Sequence, residues 1–559
     1  MKRTVIETDV LVVGGGIAGI MAAIAARREG AEVTLLSKST AGRGGESVMA
    51  AGVYLGFEME DDLEEWIRES MEVSDGMNDP LLVGKCILYS RHLRRLMDEW
   101  GVDWEKSGGK YVTKPGLGMT KMRNAMFNDG RQLMWVLRGK ALELGARMLD
   151  RVMVVDLLTS DGQAPTGGGV VGVVGFHVRR PEIFIIKSKA VVLATGPWGI
   201  NQFHPMDVTG DGEAMAYRVG ARMRGIEQLC FSLAPRVALS LPGLHALTGH
   251  GGKFLNSLGE RYMERYSPQL LERSPRAVLV QAAAKEIEAG RGPLYLDLTH
   301  LSAEDQARIA RVVPHTVKAL KSAGINLVTD LVEYMPTLYG NGPMGGVMID
   351  ENCATSISGL YCAGGATDRM YAGVPGLTGA SATGFMAGRN AAVTAAGQSC
   401  QEPSGEQVEK ILYSVVSRLD ESGQAADPRS IYYQVQRVVL EKIGILKDPE
   451  LLQEARQLLA GLAEKAAGVR AGDLHQLMNT LETINIAQIS CLVAAASLER
   501  TESRYFNYRK DYPKRDDQNW SRWLICRQGP DGKPLFSTIP FRTLDEAREV
   551  LRAVREEVL

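Results

Sequence analysis

A glycine-rich turn between an apolar strand and a helix is the feature that most limits how this chain can fold. Residues 4–13 and 31–37 are apolar and β-branched, which predicts two buried strands. Between them, Gly14, Gly16 and Gly19 stand in GxGxxG spacing ahead of an apolar helical run. This order predicts a βαβ unit that binds a dinucleotide, because the glycines permit a tight turn, close approach of a pyrophosphate and close packing of helix on strand.

Length and charge place the chain among globular proteins of several domains. Its 559 residues suggest three to five units, at about 100–200 residues per domain. Apolar residues make up 45% and charged residues 23%, which excludes global disorder. The net charge of −2 gives no reason to expect a nucleic acid as partner.

The sequence has no segment typical of a membrane span or of an iron–sulfur site. No run of about 18 apolar residues occurs, so we expect no direct membrane span. Glu7 and Asp9 interrupt the apolar start, so we do not interpret it as a signal peptide. The seven cysteines are scattered without CxxC spacing, which predicts reduced thiols in the cytoplasm and no metal or iron–sulfur cluster on this chain.

Three glycine-bearing strand ends lie far apart in the sequence. They are the turn at Gly14–Gly19, Ala194-Thr195-Gly196 and residues 359–365. Thr209-Gly210-Asp211-Gly212 opens a predicted helix, and a run of small residues from Gly376 opens another. Each of these points is a place where backbone can approach a ligand closely.

The remaining segments differ in the structure that they predict. Residues 151–158, 170–187 and 190–194 predict strands. Residues 60–146 and 405–500 predict mainly helices, whereas 230–340 predicts short helices and loops of a separate domain. In the tail, Gly529-Pro530-Asp531-Gly532 predicts a hairpin, and the Thr543–Glu546 pair predicts a helix that starts with a capping box.

Taken together, these motifs resemble the flavoprotein subunit family of fumarate reductase, succinate dehydrogenase and adenylylsulfate reductase. The resemblance covers nearly the whole chain, and the spacing in the tail is its most specific part. The segments that carry it are Leu35-Leu36-Ser37-Lys38, Ala194-Thr195-Gly196, Asn256–Met263 (NSLGERYM), Glu502-Ser503-Arg504, Arg509-Lys510-Asp511-Tyr512-Pro513 and Asp516–Trp520 (DDQNW).

The resemblance implies an α/β fold with FAD as the cofactor. It implies a Rossmann-type FAD-binding domain over 1–232 and 345–400, interrupted by an α+β capping domain over 233–344. A helical domain over 401–500 and a small C-terminal domain over 501–559 would follow. The FAD contacts that it implies are Gly14, Gly16, Ile17, Ala18, Gly19, Ser37, Lys38, Gly44, Gly45, Ala194, Thr195, Gly196, Asp211, Gly364, Gly365 and Ser381.

The cofactor is expected to be bound without a covalent link. In the fumarate and succinate enzymes of the family, a histidine on the loop after the position of Lys38 is bonded to the flavin. Aligned on Ala51-Gly52-Val53, that position holds Gly45 in this chain.

The residues with which the family binds a dicarboxylate are also replaced. Counting between motifs puts Leu244 and His245 at the Thr-Glu pair, Ser232 and Asn341 at two histidines, and Gly376 at the arginine that clamps a carboxylate. A dicarboxylate needs fixed cationic forks and hydrogen-bond donors. We therefore do not expect succinate or fumarate to be the substrate.

Arg276 and His245 are the candidate catalytic residues. Counted from Tyr266-Ser267-Pro268, the family's proton-donating arginine falls on Arg276. Arg276 either relays a proton while stabilising negative charge, or binds an anionic substrate without proton transfer, or is a surface arginine of the capping domain. His245 either belongs to a proton path or is a loop histidine without a catalytic role.

Three functions stay open on these observations. In the first, the chain is the catalytic flavoprotein subunit of a heteromeric oxidoreductase, and it exchanges electrons between a small anionic substrate and an iron–sulfur subunit. Alternatively, it is an electron-transfer module of a larger redox complex with no small substrate, or an adenylylsulfate-reductase-like subunit. We expect a cytoplasmic protein, or one that reaches a membrane through its partner subunits.

Overall fold

Mixed strands and helices make up the part of the chain that a computed structural model describes, which comprises residues 1–50, 52–116, 118–200, 208–237, 244–312, 314–419 and 427–558. In chain order the strands are β1 Lys2–Val13, β2 Val33–Ser37, β3 Val53–Leu55, β4 Lys106–Ser107, β5 Lys110–Tyr111, β6 Thr113–Pro115, β7 Arg123–Met126, β8 Arg147–Asp150, β9 Val152–Thr159, β10 Val170–His177, β11 Glu182–Leu193, β12 Met223–Arg224, β13 Leu229–Pro235, β14 Lys253–Leu255, β15 Leu294–Asp297, β16 Val332–Pro343, β17 Gly346–Val347, β18 Leu360–Cys362, β19 Leu446–Lys447, β20 Tyr508–Arg509, β21 Arg522–Gln528 and β22 Pro534–Pro540. The α-helices are α1 Ile17–Arg28, α2 Leu63–Val73, α3 Pro80–Glu99, α4 Gly130–Glu143, α5 Asp211–Arg218, α6 Leu244–Gly249, α7 Met263–Tyr266, α8 Arg276–Glu288, α9 Ala303–Val312, α10 Pro314–Ser322, α11 Gly376–Ala395, α12 Gly405–Val416, α13 Pro428–Val438, α14 Pro449–Ala467, α15 Leu474–Glu499, α16 Asp517–Trp520 and α17 Leu544–Val558.

The main sheet is built around β1. Its order is β8-β2-β1-β11-β10-β9, and β18 pairs with β11. β1 lies parallel to β2 and β11, which confirms the predicted βαβ unit of β1, α1 and β2. α11 packs against α1 at small residues: a Cβ atom at Gly384 or Gly388 would lie 2.2 Å or 2.1 Å from a carbonyl oxygen of α1. This close packing explains the run of small residues in α11.

Two predictions of local structure were wrong in detail. Residues 60–146 are not helical throughout, because β4–β7 form short strands between α3 and α4. The predicted strands over 170–187 and 190–194 are instead β10 and β11, which turn at Arg179-Arg180-Pro181. Two basic residues and a proline interrupt the apolar pattern there, so the chain reverses direction.

Two smaller sheets relate to the predicted domains. β13-β16-β15-β14 form the sheet of the predicted capping domain, and β13 runs across residue 232, where the sequence analysis placed a boundary. β17-β12-β21-β22 form a sheet that joins the tail to strands on both sides of the capping segment. The domain boundaries themselves stay a prediction.

The predicted helical region is formed by α12–α15. Within the described ranges, α15 is the one helix whose length and composition would allow a membrane crossing, and 72% of its most apolar window is buried inside the protein. α15 packs against α13 and α14, so burial accounts for its apolar sequence.

The predicted helix starts and the predicted hairpin are present. Asp79 caps α3 by accepting a hydrogen bond from the N–H of Leu81, and β21 pairs antiparallel with β22. At α17, Oε2 of Glu546 accepts from the N–H of Thr543 at 2.6 Å, which confirms the capping box. α17 then packs against α3.

Candidate functional site

The turn between β1 and α1 closes so tightly that only glycine fits at two of its positions. Gly14 has a φ of +122°, and a Cβ atom there would lie 2.1 Å from the carbonyl oxygen of Ala194. A Cβ atom at Gly19 would lie 1.9 Å from the carbonyl oxygen of Gly14. Backbone packing between β1, α1 and the end of β11 therefore requires both glycines, as the GxGxxG spacing predicts.

The first turn of α1 suits an anion. Gly16 begins the helix without a side-chain hydrogen bond, and no acidic residue stands in the first turn. Ser47 approaches this turn, and its Oγ accepts a hydrogen bond from the N–H of Ile17 at 3.1 Å. The N–H groups and the positive end of the helix dipole favour a phosphate, so this end of the site fits the pyrophosphate of FAD.

One cavity is lined by residues of this turn and of the start of α11. Most of the predicted FAD contacts line it: Gly14, Gly16, Ile17, Ala18, Ser37, Lys38, Gly44, Gly45, Ala194, Thr195, Gly196, Asp211 and Gly365. Residues that are 351 positions apart in the sequence thus share one wall, because the strand ends of β1, β2, β11 and β18 meet at one edge of the sheet. The individual cofactor contacts stay predictions.

Three of the predicted contacts are not among the lining residues of the cavity. Gly19 packs against the turn before α1. The N–H of Gly364 donates to Oγ1 of Thr383 at 2.9 Å, and Oγ of Ser381 lies 2.7 Å from the hydroxyl of Tyr54. In this structure, the three residues pack behind those that line the cavity.

Lys38 is held in the cavity wall by three oxygen atoms. Its Nζ donates to Oγ1 of Thr209 at 2.6 Å, Oδ2 of Asp211 at 2.9 Å and Oε1 of Glu482 at 2.7 Å. Burial opposes the lysine's charge, but the two carboxylates outweigh burial and raise the pKa of Lys38 above its usual range. Since Glu482 lies on α15, this network ties the helical region to the cofactor site.

Glu213 is a buried carboxyl next to the cavity. Its Oε1 accepts a hydrogen bond from the N–H of Trp198 at 3.0 Å, while Oε2 has no hydrogen-bond partner among the described residues. Burial raises the pKa of Glu213 to about 8. At neutral pH this side chain is therefore mostly protonated and uncharged.

Sequence reasoning missed part of the wall. The further lining residues include Met49, Val152, Met153, Val154, Arg369, Tyr371, Leu377 and Ala380. They belong to no spacing motif, because the fold brings the edge of β9 and the segment before α11 to the cavity. Gly45, the expected position of the family's covalent histidine, lines the cavity, and non-covalent binding stays a prediction.

Arg276 begins α8, in the predicted capping domain. Its Nη1 donates to Sγ of Cys230 in β13, at 3.7 Å. The side chain is half-buried, and Arg276 is not among the residues that line the cavity. The structure thus places the predicted proton donor beside β13, and its role stays a prediction.

The positions at which we expect replaced dicarboxylate ligands lie in several separate elements of the fold. Leu244 and Ser232 are buried in the predicted capping domain and its first strand, whereas Gly376 starts α11 and lines the cavity. His245 lies in α6 and Asn341 in β16, but their side chains are outside the part of the chain that the structure describes. The predicted role of His245 is therefore untested. Among the described residues, no cluster of His, Cys, Asp or Glu is placed to hold a metal.

Comparisons with known proteins agree with a flavin site. A family profile described as "FAD binding domain" matches residues 9–382, and one described as "Fumarate reductase flavoprotein C-term" matches residues 432–550. One subunit of a fumarate reductase (CoM/CoB) from Methanothermobacter marburgensis is 27% identical, over 94% of this chain and 98% of its own length. An uncharacterised FAD-dependent oxidoreductase from Methanocaldococcus jannaschii is 26% identical, over 93% of this chain and 96% of its own length.

The fold agrees with a solved structure as well. Quinol fumarate reductase from E. coli superposes with a TM-score of 0.87 at 24% identity, over 97% of this chain and 98% of that one. The first profile alone spans more than half of the 559 residues, and the glycine turn, the start of α1 and the cavity wall fit FAD. The chain therefore belongs to the FAD-dependent oxidoreductase family of the fumarate reductase and succinate dehydrogenase flavoproteins.

Proposed function

We propose that this chain is the catalytic flavoprotein subunit of a heteromeric oxidoreductase. It exchanges electrons between a small anionic substrate and an iron–sulfur partner, and it holds FAD without a covalent bond. The observation that carries the proposal is the single cavity that joins the phosphate-binding start of α1 to the start of α11. The lining of this pocket reaches from the dinucleotide turn to Gly376, the position at which the family clamps a carboxylate of its substrate.

The residues of the cavity wall have separable tasks in this proposal. The N–H groups at the start of α1 bind the pyrophosphate, and Lys38 keeps the Asp211 side chain ionised and fixed in the wall. Gly14 and Gly19 let the backbone pack closely enough to form the turn. Bound FAD supplies hydride and single-electron chemistry at this site.

The substrate side differs from that of a dicarboxylate enzyme. Leu244, Ser232 and Gly376 offer no charge where the family has cationic or hydrogen-bonding ligands. Arg276 retains the family's position for proton donation, so reduction of an activated C=C bond is the reaction that we assign to the chain. In this reaction Arg276 delivers the proton and stabilises the developing negative charge.

The partner and location follow from the same proposal. The Methanothermobacter relative is named as one subunit of an enzyme, and this chain has no CxxC motif of its own. We infer that electrons pass to or from an iron–sulfur protein. The complex works in the cytoplasm or at a membrane to which a partner protein anchors it.

Flavin reoxidation tests this function directly. The protein is purified anaerobically, its flavin is reduced, and acceptors are added while the flavin absorption is followed. We expect silence with fumarate and fast reoxidation by another anionic enoate. Fast reaction with fumarate would show that other residues bind dicarboxylates. Sulfite-dependent consumption of AMP by the oxidised enzyme would favour an adenylylsulfate reductase, and silence with every small molecule would favour an electron-transfer module.

The role of Arg276 has its own test. Arg276→Ala should lower turnover with the active enoate by about 100-fold, because general acid catalysis is lost. Arg273→Ala is the matched control, since Arg273 is exposed three residues away. Unchanged turnover in the Arg276 variant would exclude proton delivery by this residue. A raised KM at constant kcat would indicate anion binding without proton transfer.

Non-covalent binding is checked by acid precipitation. With Gly45 at the position of the covalent histidine, FAD should appear entirely in the supernatant after the protein is denatured. Flavin that stays with the pellet would contradict this assignment.

A further inference from the structure

Arg369 is a buried arginine of the cavity wall, and the edge of its guanidinium formed by Nε and Nη2 has no partner among the described residues. Only 9% of the residue's surface is exposed, and it lines the cavity. Its Nε and Nη2 atoms are both buried, and neither makes a hydrogen bond with the described residues. A guanidinium stays charged in proteins, so burying it without an anion costs free energy unless a ligand completes the site.

Other arginines of the chain show how this edge looks when it is occupied. Nε and Nη2 of Arg291 donate to the two oxygens of Glu286, each at 2.7 Å. The same pair of atoms in Arg261 donates to the two oxygens of Glu272, at 3.0 and 2.6 Å. In each case one carboxylate accepts from both Nε and Nη2, the two donors that form a fork on one side of the guanidinium. The equivalent fork of Arg369 therefore has the donor pattern of a carboxylate site.

Glu213, an acidic group near Arg369, does not supply that carboxylate. Glu213 is close enough for the charge of Arg369 to lower its pKa, but burial dominates and keeps that pKa at about 8. No ion pair between the two side chains forms in the structure, and Glu213 is mostly uncharged at neutral pH. Since no carboxylate of the described residues pairs with Arg369, we infer that an anion from outside the chain neutralises it.

The position of Arg369 points to the substrate and not to the phosphates of the cofactor. Arg369 precedes Gly376, the position of the family's lost carboxylate clamp, by seven residues on one wall segment. The charges of Arg369 and Arg276 both act on the buried phenol of Tyr505. The pyrophosphate site at α1 is formed by a different segment of the wall.

The backbone conformation of Arg369 is a second indication that this residue has a function in the cavity. Its φ is 48°, in the left-handed region that side chains with a Cβ adopt rarely. The N–H of Tyr371 donates to the carbonyl oxygen of Arg369 at 2.6 Å, and the ring of Tyr371 packs so closely on α11 that a Cβ at Gly379 would lie 2.2 Å from it. The backbone is thus pinned in the orientation that presents the guanidinium to the cavity.

We propose that Arg369 binds a carboxylate of the substrate through Nε and Nη2, and that it replaces the clamp lost at Gly376. This inference rests on the proposed function, because it takes the substrate to be an anion. It narrows the substrate class to small carboxylates whose reacting carbon lies within reach of both the flavin and Arg276.

Ligand binding to the oxidised holoenzyme tests the site without turnover. Fumarate, crotonate and their neutral amides, fumaramide and crotonamide, are titrated while the flavin absorption spectrum is recorded. We expect saturable spectral changes with a carboxylate and none with its amide. Binding of amide and acid with equal affinity would overturn the proposal, and so would absence of any response to the carboxylates.

Two variants and a control assign the effect to Arg369. Arg369→Gln should weaken carboxylate binding by about 10- to 100-fold, which is what a lost charge-assisted hydrogen bond costs. Arg369→Lys should recover part of this loss, because it restores the charge without the fork. Arg456→Gln, an exposed arginine of α14, should leave the affinity unchanged.

The alternative role of Arg369 is to hold the cofactor, and two measurements would reveal it. The FAD content per chain is expected to be the same in wild type and in both variants; loss of FAD from both would overturn the proposal. The midpoint potential of the ligand-free holoenzyme is the second measurement. An Arg369→Gln variant with a lower potential and unchanged carboxylate affinity would assign the arginine to the flavin.

Failure of this inference is distinguishable from failure of the proposed function. If crotonate reoxidises the reduced flavin of wild type and Arg369→Gln at the same concentrations, the function stands and the carboxylate site is wrong. If carboxylates bind in an Arg369-dependent way but none reoxidises the flavin, the site stands and the assigned reaction is wrong.

Discussion

The core of the capping region and the wall of the cavity differ in how completely their buried carboxyl groups are hydrogen-bonded. In the capping region, Glu286 is fully buried, and its oxygens accept hydrogen bonds from Arg291, Arg265, Tyr266 and Asn256. The hydrogen bond from Arg291 leads the effects that lower the pKa of Glu286 to about 2. In the cavity wall, Glu213 has one oxygen without a partner, and burial raises its pKa to about 8.

This difference separates structural charges from functional ones. A carboxylate whose hydrogen bonds are complete contributes to stability and has no reason to meet a ligand. Unpaired polar atoms in a cavity wall cost free energy in the empty protein, and a ligand can recover that cost. Lys38 is intermediate, since it lines the cavity but is completely paired inside the protein.

The largest effect is expected at the glycine turn. Gly19→Val should abolish FAD binding, because its Cβ would overlap the carbonyl oxygen of Gly14 and push α1 away from the turn. The ratio of bound flavin to protein measures this effect. Gly139→Ala on the exposed face of α4 is the control, since a Cβ there meets no atom within 4 Å. A Gly19 variant that retains its full flavin content would disprove the assignment of this turn.

The next largest effect is expected at Lys38. Lys38→Met leaves Asp211 and Glu482 buried without their cation, which should destabilise the protein by about 4 kcal/mol and weaken FAD binding. Thermal unfolding and flavin titration measure the two effects. Lys106→Met is the control, because it removes an exposed ion pair with Asp98 worth less than about 1 kcal/mol. Equal losses of stability and of FAD binding in the two variants would show that Lys38 contributes no more than an exposed ion pair does.

Replacement of the paired carboxylate in the capping region should affect stability alone. Glu286→Gln should cost about 3 kcal/mol at pH 7 and leave the flavin content unchanged, because Arg291 loses its anion. The folded-state pKa is lowered, so the contribution of Glu286 is present above pH 4.5 and is lost as the pH falls towards 2. Thermal unfolding measured across this pH range checks that the stability contributed by Glu286 decreases as the pH falls.

A matched surface variant completes that test. Glu333→Gln removes an exposed ion pair with Arg236 and should cost less than about 1 kcal/mol. If the Glu286→Gln variant also lost FAD, the paired carboxylate of the capping region would affect cofactor binding, which would contradict an effect on stability alone.

Glu213 should show the opposite dependence on pH. Its folded-state pKa is raised, so its contribution to stability falls as the pH rises from 4.5 to about 8, by at most about 1.4 kcal/mol per pH unit. Glu213→Gln should remove this dependence and make the protein more stable than wild type at pH 8. Melting temperatures at several pH values measure it, with the exposed Glu105→Gln as control. Parallel curves for wild type and Glu213→Gln would contradict the assignment of a neutral carboxyl.

Local sequence signals predicted most of the residues that line the cavity. GxGxxG spacing, the glycines after β11 and β18 and the start of α5 identified most of the wall, because each of these motifs acts through its own backbone. The predicted capping box and hairpin in the tail were correct for the same reason. The strands between α3 and α4 were missed, since short strands lack a period long enough to distinguish them from helices.

The substrate half could not be derived in this way. Counting from family motifs predicted which ligands are lost at Leu244 and Gly376, but nothing in the sequence indicated a replacement. Arg369 is seven residues from Gly376, follows no spacing rule and is flanked by ordinary residues. Its significance comes from an unoccupied fork, which only the positions of all surrounding carboxylates reveal.

The sequence by itself determined the family, the dinucleotide turn and the cofactor, because these depend on glycines and strand ends that work locally. The tertiary structure decided which charges are paired. Whether a buried arginine or glutamate finds a partner depends on side chains that are distant in the chain, such as Glu482 for Lys38 or Arg291 for Glu286. Partners of this kind meet only when the sheet and its helices have packed, and the groups then left without one mark the place of the ligand.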